Sequence, residues 1–274
     1  MGRTYGFELE CVCDELRAAA EFAARWPREP DGFSTPHGTV SLVLDRSVRA
    51  RRVGCNLEVR SPVYPDPQFA VDSFEVIAGV LQGAGARRNT RCGLHLHCRI
   101  PYLDCGVDGA QSATNPDVRD RADWGQARAV AVAMRWLAVQ QAFWMALRPS
   151  QVRSRHRWAA PWTKADVLAI LTCPDHWCAD QFRYRDLNVG SLVKHGTLEL
   201  RLNPATLDPS EFAGRLEAFE AWCATLDDES EQVDVEATVW RQRIRGVRGK
   251  VDAFKQSLRA ACAVIPQSSP TVGD

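Results

Sequence analysis

Apolar and polar residues alternate in three separated stretches of this 274-residue chain: Thr4-Tyr5-Gly6-Phe7-Glu8-Leu9-Glu10-Cys11, Gly93-Leu94-His95-Leu96-His97-Cys98 and Thr197-Leu198-Glu199-Leu200-Arg201-Leu202. Successive side chains on a strand point to opposite faces, so this period of two predicts three half-buried strands. Each would turn an apolar row toward a core and a polar row the other way. The polar rows are Glu8 with Glu10, His95 with His97, and Glu199 with Arg201. A solvated sheet face is usually a bland polar mixture. These rows hold three carboxylates, two imidazoles and a guanidinium, the side chains that handle metal ions and phosphates.

Between these strands the period changes. An alanine-rich stretch at 14–26 reads as a helix, and the Pro- and Gly-rich 27–38 as a connection. Residues 39–44 and 55–60 read as a hairpin-like pair of strands around a turn at 45–47, stopped by Ser61-Pro62. Phe69, Ala70, Phe74, Ile77, Ala78 and Leu81 recur at helical spacing over 67–81. A loop rich in Asp, Asn and Gly at 104–123 precedes the clearest helix, 124–147, apolar on nearly all sides and so expected to be buried. Helices are also predicted at 164–171, at 209–226 and, after a charged break at 227–231, at 233–264. The 148–162 stretch carries four arginines, a histidine and two tryptophans, and reads as an exposed or site-lining loop. Strands and helices are mixed, and one sheet must collect polar pairs spread over two hundred residues.

Composition narrows the class. Thirty-four basic residues balance 34 acidic ones, so charge offers no case for nucleic acid or a membrane surface. No apolar run approaches the roughly 20 residues of a membrane span, and the first residues lack a signal-peptide core, so a cytoplasmic protein is expected. Ten cysteines invite a zinc or disulfide reading, but none shows paired C-x2-C spacing. Cys11 and Cys98 fall in strands and are expected to act as small apolar residues, the thiols being mostly free. A zinc site on Cys173, His176 and Cys178 is the weaker alternative.

A fourth carboxylate joins the three rows: Asp45-x-Ser47 is followed by Asn56-Leu57-Glu58-Val59-Arg60-Ser61-Pro62. The order of elements then resembles a known family. Gly6-Phe7-Glu8-Leu9-Glu10, Asp45-x-Ser47 with Glu58-x-x-Ser61-Pro62, Cys92-Gly93-Leu94-His95-Leu96-His97, Tyr184-x-x-Leu187-Asn188, Glu199-Leu200-Arg201 and Thr206-Leu207-Asp208 together resemble the amidoligase family. That family belongs to the carboxylate–amine ligases sharing the fold of glutamine synthetase and glutamate–cysteine ligase. The resemblance covers about 3–225, and the arginine loop at 153–162 is also similar. It implies an α+β fold: a curved, mostly antiparallel sheet with a metal and ATP face, and helices on the other side. A catalytic domain is expected at 1–226, and 227–274, whose long helix lies outside the resemblance, is expected as a helical extension with a frayed end.

By the same resemblance, Glu8, Glu10, Glu58, His95 and Glu199 would bind metal. Arg201, Glu199 and Glu58 would be catalytic, while His97, Asn188, Arg155 and Arg157 would contact nucleotide, phosphate or substrate carboxylate. ATP with Mg²⁺, or Mn²⁺ in its place, would activate a carboxylate as an acyl phosphate for attack by an amine. The acid and amine could be small molecules, peptides or proteins, and the sequence does not identify them or the oligomeric state. No Walker-type loop or Gly-x-Gly-x-x-Gly is present, which argues against a P-loop or Rossmann site.

Two alternatives stand beside this reading. A zinc hydrolase could use His95 and His97, although His37, His156, His176 and His195 lie without ligand spacing. A non-catalytic nucleotide-binding member is the other, and the retention of every motif residue counts against it.

Overall fold

The computed structural model describes residues 2–13, 32–44, 57–89, 92–103, 116–146, 159–172 and 182–263. The helix expected at 14–26, and Asp45, Ser47, Asn56, Arg155, Arg157, Cys173, His176 and Cys178, lie outside the described residues. The strands are β1 (Thr4–Cys11), β2 (Gly32–Thr35), β3 (Gly38–Leu44), β4 (Leu57–Arg60), β5 (Gly93–Arg99), β6 (Leu187–Asn188) and β7 (Thr197–Pro204). The helices are α1 (Pro67–Gly83), α2 (Pro116–Ala146), α3 (Lys164–Thr172), α4 (Gly190–His195), α5 (Pro209–Asp228) and α6 (Ser230–Ala263).

The strands form one open seven-stranded sheet in the order β2-β3-β4-β1-β5-β7-β6, and every pairing is antiparallel. The fold is therefore α+β. The alternation in β1 works as expected: Tyr5, Phe7, Leu9 and Cys11 are buried in the core. Phe7 packs edge-on against Phe74 of α1 and Phe212 of α5, whose rings stack on each other 4.0 Å apart. Burial of each such ring contributes about 1.5–3 kcal/mol, so this triple contact holds both helices on the apolar face. Each helix also starts on a local signal. Asp66 and Asp208 cap them by accepting from the backbone N–H of Gln68 and Ser210, and a proline occupies the first turn.

A second layer surrounds β6. Trp162 Nε1 donates to the Leu187 carbonyl, and the Gln140 side chain both accepts from Trp162 N and donates to Trp162 O. Gln126 Nε2 donates to Ile170 O, so α2 and α3 are pinned together. The long α6 lies against α2 through buried Ala127, Ala237 and Ile244, flanked by ion pairs from Arg128 to Asp234 and from Arg135 to Glu229 and Glu236. No described helix is long and apolar enough to cross a membrane. The described thiols Cys11, Cys13, Cys92, Cys98 and Cys223 are buried and in no disulfide, as small apolar residues would be.

Several boundaries differ from the sequence expectation. Residues 32–35, placed in a Pro- and Gly-rich connection, form β2 by pairing with β3. The loop expected through 123 ends earlier, because α2 already begins at Pro116 and buries Asp123. The far end of α2 is not buried on all sides: Ala138, Gln141, Ala142, Met145 and Ala146 are exposed. Phe69, expected on the buried stripe of α1, is 37% exposed and stacks on His37 instead. The charged break at 227–231 reduces to Glu229, between α5 and α6.

Candidate active site

Sheet register assembles the polar rows. In β1–β5 pairing Glu8 sits opposite His95 and Gly6 opposite His97. In β1–β4 pairing Glu8 faces Arg60 and Glu10 faces Glu58. His97 lies opposite Glu199 across β5–β7, and Glu199 opposite Asn188 across β7–β6. Directly opposed residues have Cβ atoms about 4.5–5.5 Å apart, so these pairings bring side chains from five strands to one face. An irregularity in register between Leu94 and Leu96 lies at His95. Such a bulge re-aims a side chain, and His95 is turned into the middle of the carboxylates.

His95 is 2% exposed and has carboxylates at both ring nitrogens. Nδ1 lies 3.2 Å from Glu8 Oε2 and 3.5 Å from Glu199 Oε1, and Nε2 lies 3.6 Å from Glu10 Oε1. Glu10 is further held by the Gly93 N–H at 2.7 Å. Glu199 accepts from Asn188 Nδ2 at 2.6 Å and from Arg201 Nη1, and Asn188 is itself oriented by the Gly190 N–H at 3.0 Å. That last contact uses the start of α4, a helix ended by Gly196 at φ 65°, a left-handed position that glycine occupies without strain. Arg60 donates to Glu58 and lies 3.8 Å from Glu8.

Charge at this face is unbalanced. Among the described residues, Glu8, Glu10, Glu58 and Glu199 face the guanidiniums of Arg60 and Arg201, an excess of two carboxylates. Burial, and then the proximity of Glu199, raise the Glu8 carboxyl above its ordinary range, against the pull of Arg60 and Arg201. Burial would raise Glu199 as well, but Arg201, His97 and Asn188 outweigh it and hold this carboxyl below the ordinary value. Burial lowers the His97 imidazole below its ordinary value, against the pull of Glu199. Its Nε2 is buried and without a hydrogen-bond partner, 4.0 Å from Glu8 Oε1. Ligand atoms of Glu8, His97 and Glu199 all lie within 4.8 Å of one another. A buried imidazole nitrogen without a hydrogen-bond partner among the described residues, beside two carboxylates, fits a divalent cation.

All eight described site residues expected from the sequence, Glu8, Glu10, Glu58, His95, His97, Asn188, Glu199 and Arg201, come together here. Their surroundings differ. His97 is the imidazole that closes a three-ligand group with Glu8 and Glu199, whereas His95 is enclosed among three carboxylates. Arg60 went unnoticed in the sequence, although Glu58-x-Arg60 repeats the spacing of Glu199-x-Arg201. A cavity of about 430 Å³ adjoins Glu8 and His97 and reaches Arg99 and His195, neither singled out by sequence.

No protein-family model and no curated protein matches the chain. Among solved structures it is similar to a bifunctional glutathione synthetase from Pasteurella multocida, with a TM-score of 0.38 and 12% identity. The match covers 89% of this chain and 41% of that one, so the chain spans about two fifths of that protein's length. A likeness at that score says nothing of activity.

Proposed function

We propose that the protein is an ATP- and Mg²⁺-dependent carboxylate–amine ligase with the glutamine synthetase-like sheet of the amidoligase family. The observation that supports this most is the gathering of four carboxylates, two imidazoles and two guanidiniums on one sheet face, around the Glu8–His97–Glu199 group. Those three residues would hold the metal, with Glu58 and Glu10 adding negative charge around them. When bound, Mg²⁺ supplies a Lewis acid that draws charge from nucleotide phosphates.

The chain's own residues do the rest. Arg201 and Arg60 place positive charge where the γ-phosphoryl passes to the substrate carboxylate, which becomes an acyl phosphate as ADP leaves. Asn188 keeps Glu199 in position, and Glu10, tied to the Gly93 N–H, keeps His95 in position. The amine then attacks the acyl carbon, the C–N bond forms, and the C–O bond to phosphate breaks. Glu58 is the carboxylate we assign to accept the proton released by the amine. Arg155 and Arg157 serve the phosphates or the substrate carboxylate as planar donors. In this reading 1–226 is the catalytic unit and 227–274 a helical extension, the setting is cytoplasmic, and the acid and amine are small molecules, peptides or proteins.

A zinc hydrolase needs two or three imidazoles with a carboxylate. Among the described residues the three-ligand group contains a single imidazole, which favours the ligase. The test is ADP and phosphate release from Mg-ATP with a panel of acids and amines, followed by mass spectrometry of the product. Turnover abolished by Glu199→Gln or Arg201→Ala is expected. No ADP release with any pair, together with ATP binding unaltered in Glu8→Gln, overturns the proposal. Tightly held stoichiometric zinc in the purified protein supports the hydrolase instead.

A further inference from the structure

The long helix α6 changes the sign of its charge at mid-length. Residues 229–239 contain four carboxylates and no cation, and residues 240–250 contain five cations and no carboxylate. Glu229 stands at the helix start, its carbonyl accepting from Val233 N at 2.9 Å. From there a charged residue recurs every seven positions: Glu229, Glu236, Arg243 and Lys250. Seven residues make about two turns, so these four form one row along a flank, acidic in its first half and basic in its second. Glu229 and Glu236 share a single guanidinium, that of Arg135 on α2. Arg243 and Lys250 are exposed, and Arg243 lies 4.7 Å over the ring of Trp240 on its own helix.

Beside that row runs a face turned away from α2. The inward face of α6 carries Val233, Ala237 and Ile244, all fully buried, with Trp240 packed between them. On the opposite side Val235, Val239, Gln242, Gly246 and Gly249 follow one another at spacings of four and three, and all are exposed. Val235 is 59% and Val239 46% exposed. Such spacing is that of a second helix-packing seam. A Cβ at Gly246 or Gly249 would meet nothing within 4 Å, so no contact among the described residues requires glycine there. Glycine weakens a helix interior, and its place here makes sense where another helix comes close.

We propose that two copies of the chain associate through this face of α6, antiparallel and related by a twofold axis. Reversing one helix lays its basic half along the acidic half of the other. Glu229 then meets the partner's Lys250, Glu236 meets the partner's Arg243, and the axis repeats both pairs. The same register sets Val235 over the partner's Gly246, so a branched side chain enters the space that a glycine leaves. The paired segments, 229–250, run for about 33 Å. A parallel pair would set acidic half against acidic half. A nucleic acid or an anionic membrane would engage the basic half alone and be repelled by the other. This contact does not depend on the reaction at the sheet.

Sedimentation equilibrium of the full chain tests the proposal. A dimer is expected, and Lys250→Glu and Glu229→Lys should each weaken it tenfold or more. Mixed in equal amounts, these two variants should form a heterodimer as tightly as the wild type, because each supplies the charges that the other now needs. Gly246→Gln should also dissociate the dimer while leaving the circular dichroism spectrum unchanged, since glutamine favours a helix more than glycine does. A chain that stays monomeric at about 100 µM overturns the proposal. So does a dimer that survives both Gly246→Gln and Lys250→Glu, or a pair of weakened variants that fails to recombine. A monomer that sediments with phosphatidylserine vesicles would overturn it too, and would assign the basic half to a membrane surface.

Discussion

Asp186 is a buried carboxylate that the proposed chemistry does not use, and it braces the site. Its Oδ1 accepts from Trp136 Nε1 at 2.9 Å and from the Leu187 N–H at 2.9 Å, and its Oδ2 accepts from Trp144 Nε1 at 2.8 Å. Its backbone carbonyl accepts from Arg201 N at 2.7 Å, and Asn188 follows two residues later. Burial raises its carboxyl from 3.8 to about 6, overcoming the donors from Trp144, Trp136 and Leu187. A raised value in the folded state means that the native protein holds this proton more tightly than the unfolded chain. The resulting stability is complete below pH 3.8 and is lost as pH rises through about 6. The two values differ by about two pH units, which at about 1.36 kcal/mol per unit makes the loss about 3 kcal/mol. Asp186→Asn removes the titration, so the wild type should lose about 3 kcal/mol more stability than the variant between pH 4 and pH 7. Urea unfolding followed by tryptophan fluorescence at stepped pH measures both curves, and other titrating groups cancel in their difference. Parallel curves, within about 0.5 kcal/mol, would refute the reasoning.

The remaining predictions concern the metal group, its support and the docking of α6. His97→Ala and Glu8→Gln should each weaken Mn²⁺ binding tenfold or more, read from the free-ion electron paramagnetic resonance signal; unchanged affinity removes these residues from the metal group. Asn188→Ala takes the 2.6 Å hydrogen bond from a buried carboxylate and should cost about 2 kcal/mol in urea unfolding. A cost below about 0.5 kcal/mol would mean that Glu199 does not depend on it. If apolar contact rather than ion pairing docks α6 on α2, Ile244→Ala should cost about 2–4 kcal/mol and Arg128→Ala less than about 1 kcal/mol. Thermal unfolding of the two variants compares them directly, and a reversed order contradicts this account.

Much of the site was legible because a strand reports its own faces. Leu9, Leu94 and Leu200 are buried, and Glu8, Glu10, His95 and Glu199 stand on the other face, as a period of two requires. The helix α1 was legible from its apolar spacing, and the Asp-Pro pairs that start α1 and α5 are start signals the sequence reading did not use. What was misread had weak or contradictory local signals. Gly32 to Thr35 sits among turn formers, and only pairing with β3 makes it a strand. The start of α2 is a polar run resembling a loop, yet Pro116 at its first position is a valid start signal. Arg60 was overlooked although the strand read at 55–60 carries it two residues from Glu58, and only the pairing of β4 with β1 sets it beside Glu8.

By itself, the sequence determined which residues share a face, because strand periodicity is a local property of covalent geometry. Tertiary structure alone decided which faces meet. Glu8 opposes His95 rather than Leu94 only because the buried Phe7 and Leu9 lock the register, and a slip of one residue would turn every polar side chain into the core. It also decided that His97 has a nitrogen without a partner while His95 is surrounded, since both have the same local pattern and differ only in what β1 and β7 bring to them. Such contacts join residues far apart in the chain, and their geometry follows from packing that no local window contains.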